Sequence, residues 1–443
     1  MKRQRLYLVG LMLALLLLVG ACGGGDDNNA GSGTTAAEET TAAENVSGNV
    51  SVIGVWTGPE QESFQAVIDG FKAKNPDVTV KYTSGGDNIV TVLSTAVEGG
   101  NPPDIATVSQ PGTMADFVKR GALQPLDFAK SAVTENFGES IVTTGSVDGT
   151  LYGLLFKAAN KSTVWYNVKA FEDAGVEAPA TYDDLLSTAK TISASGLPAY
   201  SIGGADGWTL TDLFENIYIR TAGAETYDKL AKHEIPWTDQ SVKDALAQMA
   251  KIVGDTDNVA GGQAGALQTD FPTSVSNVFS ATPKAAMVLE GDFVPGVAGD
   301  ANPLKAETGF NVFPFPEIGD SGKAVVGGGD LVVMFKENPA AKAFIEYLTT
   351  PEASEIWAKR GGFSSPNKNV DSSVYPDPIQ QTTAGAIGEA DTFRFDLSDL
   401  QPSAFGGTVG QGLFKLFQDF LKAPSDIDGI TTKMEAAAAK AFG

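Results

Sequence analysis

The chain alternates short Val/Ile-rich runs with longer segments whose apolar residues recur every three or four positions. Residues 50–56 (VSVIGVW) read as a buried strand closing on Trp56, and Thr57-Gly58-Pro59 supply a cap and an early helical proline. Phe64, Val67, Ile68 and Phe71 then fall at i, i+3, i+4 and i+7, the stripe of a helix laid on a core. Asn75-Pro76-Asp77 turns the chain into a second strand, VTVKY, and Ile89, Val92, Leu93, Ala96 and Val97 mark a second helix. DIATV at 104–108 predicts a third strand, with a helix beginning near Thr113. Such β-α repetition predicts a mainly parallel sheet covered by helices on both faces, with ligand loops beyond the strands' C-terminal ends. Trp56-Thr57-Gly58 and Ser109-Gln110-Pro111-Gly112 are two such loops.

Helical spacing continues at 181–192, 210–220, 242–253, 340–348, 412–421 and 430–441, while AAMVLEG at 285–291 reads as a buried strand leaving Glu290 at its end. No internal repeat or heptad array is visible. The body from residue 50 onward exceeds the size at which one core stays single, so two α/β lobes flanking a cleft are expected.

The opening residues follow a different pattern. Lys2, Arg3 and Arg5 precede an apolar run over 6–19, which is the grammar of an export signal rather than of a spanning helix. Val19-Gly20-Ala21-Cys22 resembles the lipobox of bacterial lipoproteins, which implies a signal peptide over 1–21 and lipid on Cys22. Residues 22–49 hold almost nothing to bury and read as a flexible tether. With 31 Lys/Arg against 54 Asp/Glu the formal charge is −23, and loss of residues 1–21 takes it to −26. That sign opposes a phosphate backbone as main partner, so no nucleic-acid role is expected. One Cys and one His exclude an intramolecular disulfide, a Cys-rich metal centre and any two-histidine mechanism.

Little catalytic chemistry remains. His233 in AKHEIP is not part of a zinc-binding HExxH, because Pro236 breaks the helix and a second His is absent, and it reads as a surface or packing residue. No GxSxG elbow is present, and neither Gly327-Gly328-Gly329 nor Gly361-Gly362 is followed by Lys-Ser/Thr, so these glycines predict tight turns or close backbone approach. Asp255-Thr256-Asp257-Asn258 lacks the Gly and terminal Glu of a calcium loop. Carboxylates are numerous enough that spacing alone leaves a glycosidase pair open. Glu290 and Asp292 leave a hydrophobic strand within a Gly-containing turn and predict binding rather than catalysis.

A more informative pattern is aromatic residues beside Gly and short polar residues: Trp56-Thr57-Gly58, GGADGWT at 203–209, Gly291-Asp292-Phe293, Gly361-Gly362-Phe363 and Phe393-Arg394-Phe395-Asp396. A flat ring covers the C–H face of a sugar while carboxylates and amides bond its hydroxyl rim. Trp165, Trp237 and Trp357 have the surroundings of core residues.

The pattern as a whole resembles the extracellular solute-binding proteins of carbohydrate ABC importers, and most closely their alpha-glucoside (maltose/trehalose-type) branch. The resemblance rests on the lipobox and tether, VWTGPEQESFQAVIDGFKAKNP, GGNPPDIATVSQPG, GALQPLD, GLLFKAANKSTVWYN, GWTLTDLFENIYIRTAG, AAMVLEGDF, GGGDLVVMF and RGGFSSPNK, in that order. It implies a periplasmic-binding-protein-like α/β fold with two lobes, a hinge and an interlobe cleft. Lobe 1 would take 50–160 and 322–362, and lobe 2 would take 161–321 and 363–443. By position it implies Trp56, Gln110, Asn160, Trp208, Glu290, Asp292, Asp330, Phe395 and Asp396 as ligand-binding residues. The implied role is capture of a small carbohydrate and delivery to ABC permease subunits, by a monomer anchored through Cys22 to the outer face of the cytoplasmic membrane. No catalysis, metal or cofactor is implied. The alternatives are a receptor for a polyol or glycerol-phosphate-type solute, and a cell-surface glycoside hydrolase.

Overall fold

Alternation decides how the first sheet is covered. The computed structural model describes residues 46–299, 303–386 and 390–443; the signal segment, Cys22 and nearly all of the tether lie outside them. Gly48–Gly54 pairs in parallel with Val78–Ser84 on one side and Ile105–Val108 on the other. Because successive side chains point to opposite faces, Val50 and Val52 pack with Phe64, Val67, Ile68 and Phe71 of helix Gly58–Lys74 on one face. Ala106 and Val108 pack with Ile89, Val90 and Leu93 of helix Ile89–Glu98 on the other.

The centre of this six-stranded sheet is a strand the sequence reading missed, Ala324–Met334, buried along its whole length. On one edge its first four residues pair in parallel with Thr392–Phe395, and Leu331 to Met334 pair antiparallel with Ile105–Val108. On its other edge it runs antiparallel to Gly153–Asn160, with a register break at Asp330 and Leu331. The sheet is therefore mixed, not mainly parallel as expected. The strands of successive β-α units are parallel, but Ala324–Met334 brings the chain back from the second sheet and enters from the opposite end. Gly327, Gly328 and Gly329 stand in this strand rather than in a turn, and close approach explains two of them. A Cβ on Gly328 would lie 2.8 Å from Lys161 Cε, and one on Gly329 would lie 2.3 Å from the Lys157 carbonyl oxygen.

A second, three-stranded antiparallel sheet has Thr163–Asn167 at its centre, flanked by Met287–Leu289 and Phe310–Pro314. Helices Tyr182–Ala194, Trp208–Ala231, Gln240–Val253, Gly412–Lys422 and Ile427–Phe442 build a separate core that includes Tyr200, Phe214, Tyr218, Trp237 and Phe417. Thr181 caps the first of these, accepting the Asp184 N–H at 3.2 Å. The helix expected over 210–220 runs further, with Gly223 (φ 77°) breaking its helical geometry. Trp165, Trp237 and Trp357 are fully buried core residues. The first core also takes in Phe363 and Tyr375. The described residues from 46 onward hold together as one unit, and among them no helix is long and apolar enough to cross a membrane.

Candidate functional site

Between the two cores lies a cavity of about 260 Å³. One wall comes from loops at strand ends, Trp56 to Glu60 and Ser109-Gln110, where an open α/β sheet binds ligands. The other carries Trp208, Phe271, Phe293 and Phe414. Lys157, Ala159 and Lys161 form the floor, because alternate residues of Gly153–Asn160 and its continuation share one face.

The floor is electrostatically matched. Trp56 Nε1 donates to Asp330 Oδ2 at 2.7 Å, and Ser109 Oγ donates to Asp330 Oδ1 at 2.6 Å. The Trp56 ring lies against Phe64 at 4.6 Å and Trp357 at 4.8 Å and is only 2% exposed, so Trp56 offers the cavity an edge rather than an open platform. Lys157 bonds the Glu60 carboxylate and sits 5.2 Å over the Phe293 ring and 5.5 Å over that of Trp357. Burial pushes the Lys157 pKa down, but Glu60 and Asp330 more than reverse this and keep it a cation.

Lys161 meets four other groups: Asp396 at 2.5 Å, Asp212 at 3.2 Å, Asp399 at 3.6 Å and the Trp208 ring at 5.7 Å. Burial opposes ionisation of Asp396, yet Lys161 and a hydrogen bond from Asp212 hold its pKa down at about 2. Burial, with the Asp396 charge beside them, pushes Asp212 and Asp399 well above the usual carboxylate range. One lysine thus faces three carboxyl groups and favours the ionised form of Asp396 most. Among the described residues, no group of three or more His, Cys, Asp or Glu is placed to hold a metal ion. Asp255 instead bonds the Asp257 N–H of its own turn, and His233 Nε2 lies 3.2 Å from the Glu435 carboxylate.

Of the residues proposed from sequence, Trp56, Gln110, Trp208 and Asp330 line the cavity. Asn160, Glu290, Asp292, Phe395 and Asp396 are not among the residues that line it. Asn160 Oδ1 accepts the Ser162 N–H at 2.9 Å, and Asp292 Oδ2 accepts the Ser364 hydroxyl at 2.5 Å. Burial pushes the Asp292 pKa up to about 6. The Phe395 carbonyl accepts from the Tyr227 hydroxyl at 3.1 Å. Ser109 lies in a loop expected to face the ligand, whereas Lys157, Lys161, Glu60, Phe271 and Asp399 went unnoticed in the sequence. The available signal was FKAANK, two lysines four apart in an otherwise buried strand, hence on one face.

Glu290 is 2% exposed, lies beside the Gly291 N–H and the Asp212 carboxyl, and borders a separate cavity of about 10 Å³, room for about one water. Burial raises its pKa well above the usual range. The folded state therefore holds a proton that the unfolded chain releases, and stability falls as pH rises from the ordinary carboxylate pKa toward the folded one. Glu290→Gln removes that loss. Its thermal midpoint is expected to exceed wild type by roughly 2 °C or more at pH 7 and to match it near pH 4. A drop of equal size at both pH values would show that the carboxyl makes a bond the amide does not replace.

The structure thus places a polar-aromatic cavity between two cores, lined by rings, amides and paired charges. The chain belongs to the bacterial extracellular solute-binding protein family, which matches residues 57–355. It is 36% identical to the alpha-glucosides-binding periplasmic protein AglE of Rhizobium meliloti, over 86% of this chain and 84% of that one. It is 32% identical to the osmoprotective compounds-binding protein GgtB of Synechocystis, over 82% and 87% of the two chains. The solved bacterial solute receptor AcbH shares the fold with a TM-score of 0.78 at 20% identity, over 89% of this chain and 99% of that one. The periplasmic-binding-protein-like architecture expected from sequence is thus the one observed.

Proposed function

We propose that the protein captures a neutral sugar, an alpha-glucoside or short oligosaccharide, outside the cytoplasmic membrane and delivers it unchanged to ABC permease subunits. The observation that carries this reading is the cavity: aromatic rings on one wall, carboxyl and amide groups on the other, in a chain 36% identical to an alpha-glucoside receptor. Its volume of about 260 Å³ is at the small end of ligand pockets and suits one or two sugar rings. The second reading, a polyol or similar compatible solute, is supported by the relative named for osmoprotective compounds.

Lobe 1 is assigned 50–160 and 322–375, extended past 362 because Phe363 and Tyr375 pack with Val50 and Trp56, and lobe 2 the remainder of the body. The hinge is then the set of crossings at Asn160 to Thr163, at Pro314 to Ala324 and just after Tyr375. Ligand favours the closed lobes, and the closed monomer is the form the permease reads. Cys22 carries the lipid that holds it at the membrane.

In a thermal-shift screen the full chain is expected to be stabilised by at least one of maltose, trehalose and sucrose, by about 2.7 kcal/mol at a hundredfold excess over Kd. Chromatography should then recover the sugar intact. Absence of stabilisation by any neutral sugar or polyol overturns the receptor reading, and cleaved sugar overturns the non-enzymatic one.

A further inference from the structure

Residues 292–299 run along the border between the two lobes and touch the first lobe at successive points. The Ser364 hydroxyl donates to Asp292 Oδ2 at 2.5 Å, and the Phe293 ring lies 5.2 Å from Lys157 Nζ, which also stands 5.5 Å over the Trp357 ring. Further along, backbone meets backbone. A Cβ on Gly296 would lie 2.7 Å from Gly362 Cα, and one on Gly299 would lie 2.7 Å from Pro59 Cγ. Ser364, Lys157, Trp357, Gly362 and Pro59 all fall in the ranges assigned to lobe 1.

The segment itself is built into lobe 2. Val294 packs with Trp165, Val275 and Val288, and Trp165 Nε1 donates to the Gly291 carbonyl at 2.9 Å just ahead of it. Phe293 and Val297 line the cavity, whereas Gly296 and Gly362 do not. One short stretch, Val294–Ala298 and its flanks, is thus anchored in one lobe, faces the cavity and abuts the other lobe with different residues. At Gly296 the fit is tightest, and the atom opposite belongs to the main chain, which cannot swing aside as a flexible side chain can.

Resting on the sugar-receptor reading and its lobe assignment, we infer that residues 292–299 are a closure seam, docked on lobe 1 when the lobes shut over ligand, and that Gly296 sets the closed population without touching the ligand. Apparent affinity scales with the fraction of molecules able to close, so a methyl group at 296 acts on binding from outside the cavity. The open form has no reason to suffer. Gly296 is helical and has no positive φ, and alanine is the better helix former there.

Calorimetry with maltose, trehalose and sucrose, paired with small-angle X-ray scattering, tests this on the full chain. Wild type is expected to contract on saturation with whichever sugar binds. Gly296→Ala should weaken that sugar tenfold or more and Gly296→Val hundredfold or more, each with less contraction, while the unliganded midpoint of Gly296→Ala stays within about 2 °C of wild type. Wild-type affinity in Gly296→Val overturns the inference, as does a ligand-saturated wild type that does not contract. A larger drop in the unliganded midpoint, or failure of Gly296→Ala to fold, shows that the seam is packed without ligand and overturns it too. If no neutral sugar or polyol binds wild type, the receptor reading itself falls and this inference falls with it.

Discussion

Lys161→Met is expected to lower the thermal midpoint at pH 7 by about 5 °C, a large loss for one side chain of the site. Three carboxyl groups converge on Nζ within 3.6 Å, and Asp396 among them is fully buried. Methionine fills the space of the lysine stem and isolates the effect of charge. Without the cation Asp396 must either stay ionised in an apolar interior or take up a proton and weaken the bonds that Ser398 Oγ and the Asp399 N–H donate to it at 2.7 and 3.0 Å. Breaking one side of a buried pair costs about 3–5 kcal/mol.

The pH dependence has a definite sign. The folded Asp396 pKa is depressed to about 2, so its contribution is complete above the unfolded value near 4 and is lost as pH falls toward 2. The gap between wild type and Lys161→Met should therefore be widest above pH 5 and close below pH 3. The double variant Lys161→Met with Asp396→Asn is expected to recover most of the loss, because the amide keeps an acceptor without a charge. A midpoint within 2 °C of wild type at pH 7 would mean that the carboxyls were neutral throughout and that Lys161 contributes packing alone.

The same residues show which parts of the molecule could be read from sequence. Strand Gly48–Gly54 and helix Gly58–Lys74 were legible because their partners lie within a few dozen positions and their periods are regular. Ala324–Met334 was not, since a strand buried on both faces has no alternation, and its glycines suggest a turn until Lys157 and Lys161 are placed against them. The site divides likewise. Aromatic-glycine clusters pointed to Trp56 and Trp208, whereas the Trp56–Asp330 bond spans 274 positions and no local spacing announces it. Asp396 and Asp399 share a short segment, yet only Asp399 is among the residues that line the cavity. Which carboxylate faces a ligand depends on where a lysine 235 positions away ends, and that is a property of the fold.

Trp208→Ala is expected to weaken the cognate sugar by at least tenfold, about 1.4 kcal/mol, while leaving the unliganded midpoint nearly unchanged. Trp208 opens helix Trp208–Ala231, and Gly207 before it has φ 88° with a would-be Cβ 2.6 Å from Phe414 Cβ, so the backbone that aims the indole tolerates no side chain at 207. The ring is only half-buried. Its edge contacts are Phe271 at 4.8 Å and Phe293 at 6.2 Å, which fix its tilt and leave a surface toward the cavity. This separates it from Trp56, whose rings are covered on both sides and whose loss would unfold the first core. A sugar laid on the Trp208 face exchanges water for C–H to π contact, and truncation to alanine removes that area from the complex more than from the free protein. Trp208→Phe should keep part of the contact and fall between alanine and wild type. Calorimetry with whichever neutral sugar stabilises the full chain decides the matter. Affinity within twofold of wild type in Trp208→Ala would place the ligand against Phe271 and Phe293 instead, and an equal fall in affinity and midpoint would make the indole a packing residue.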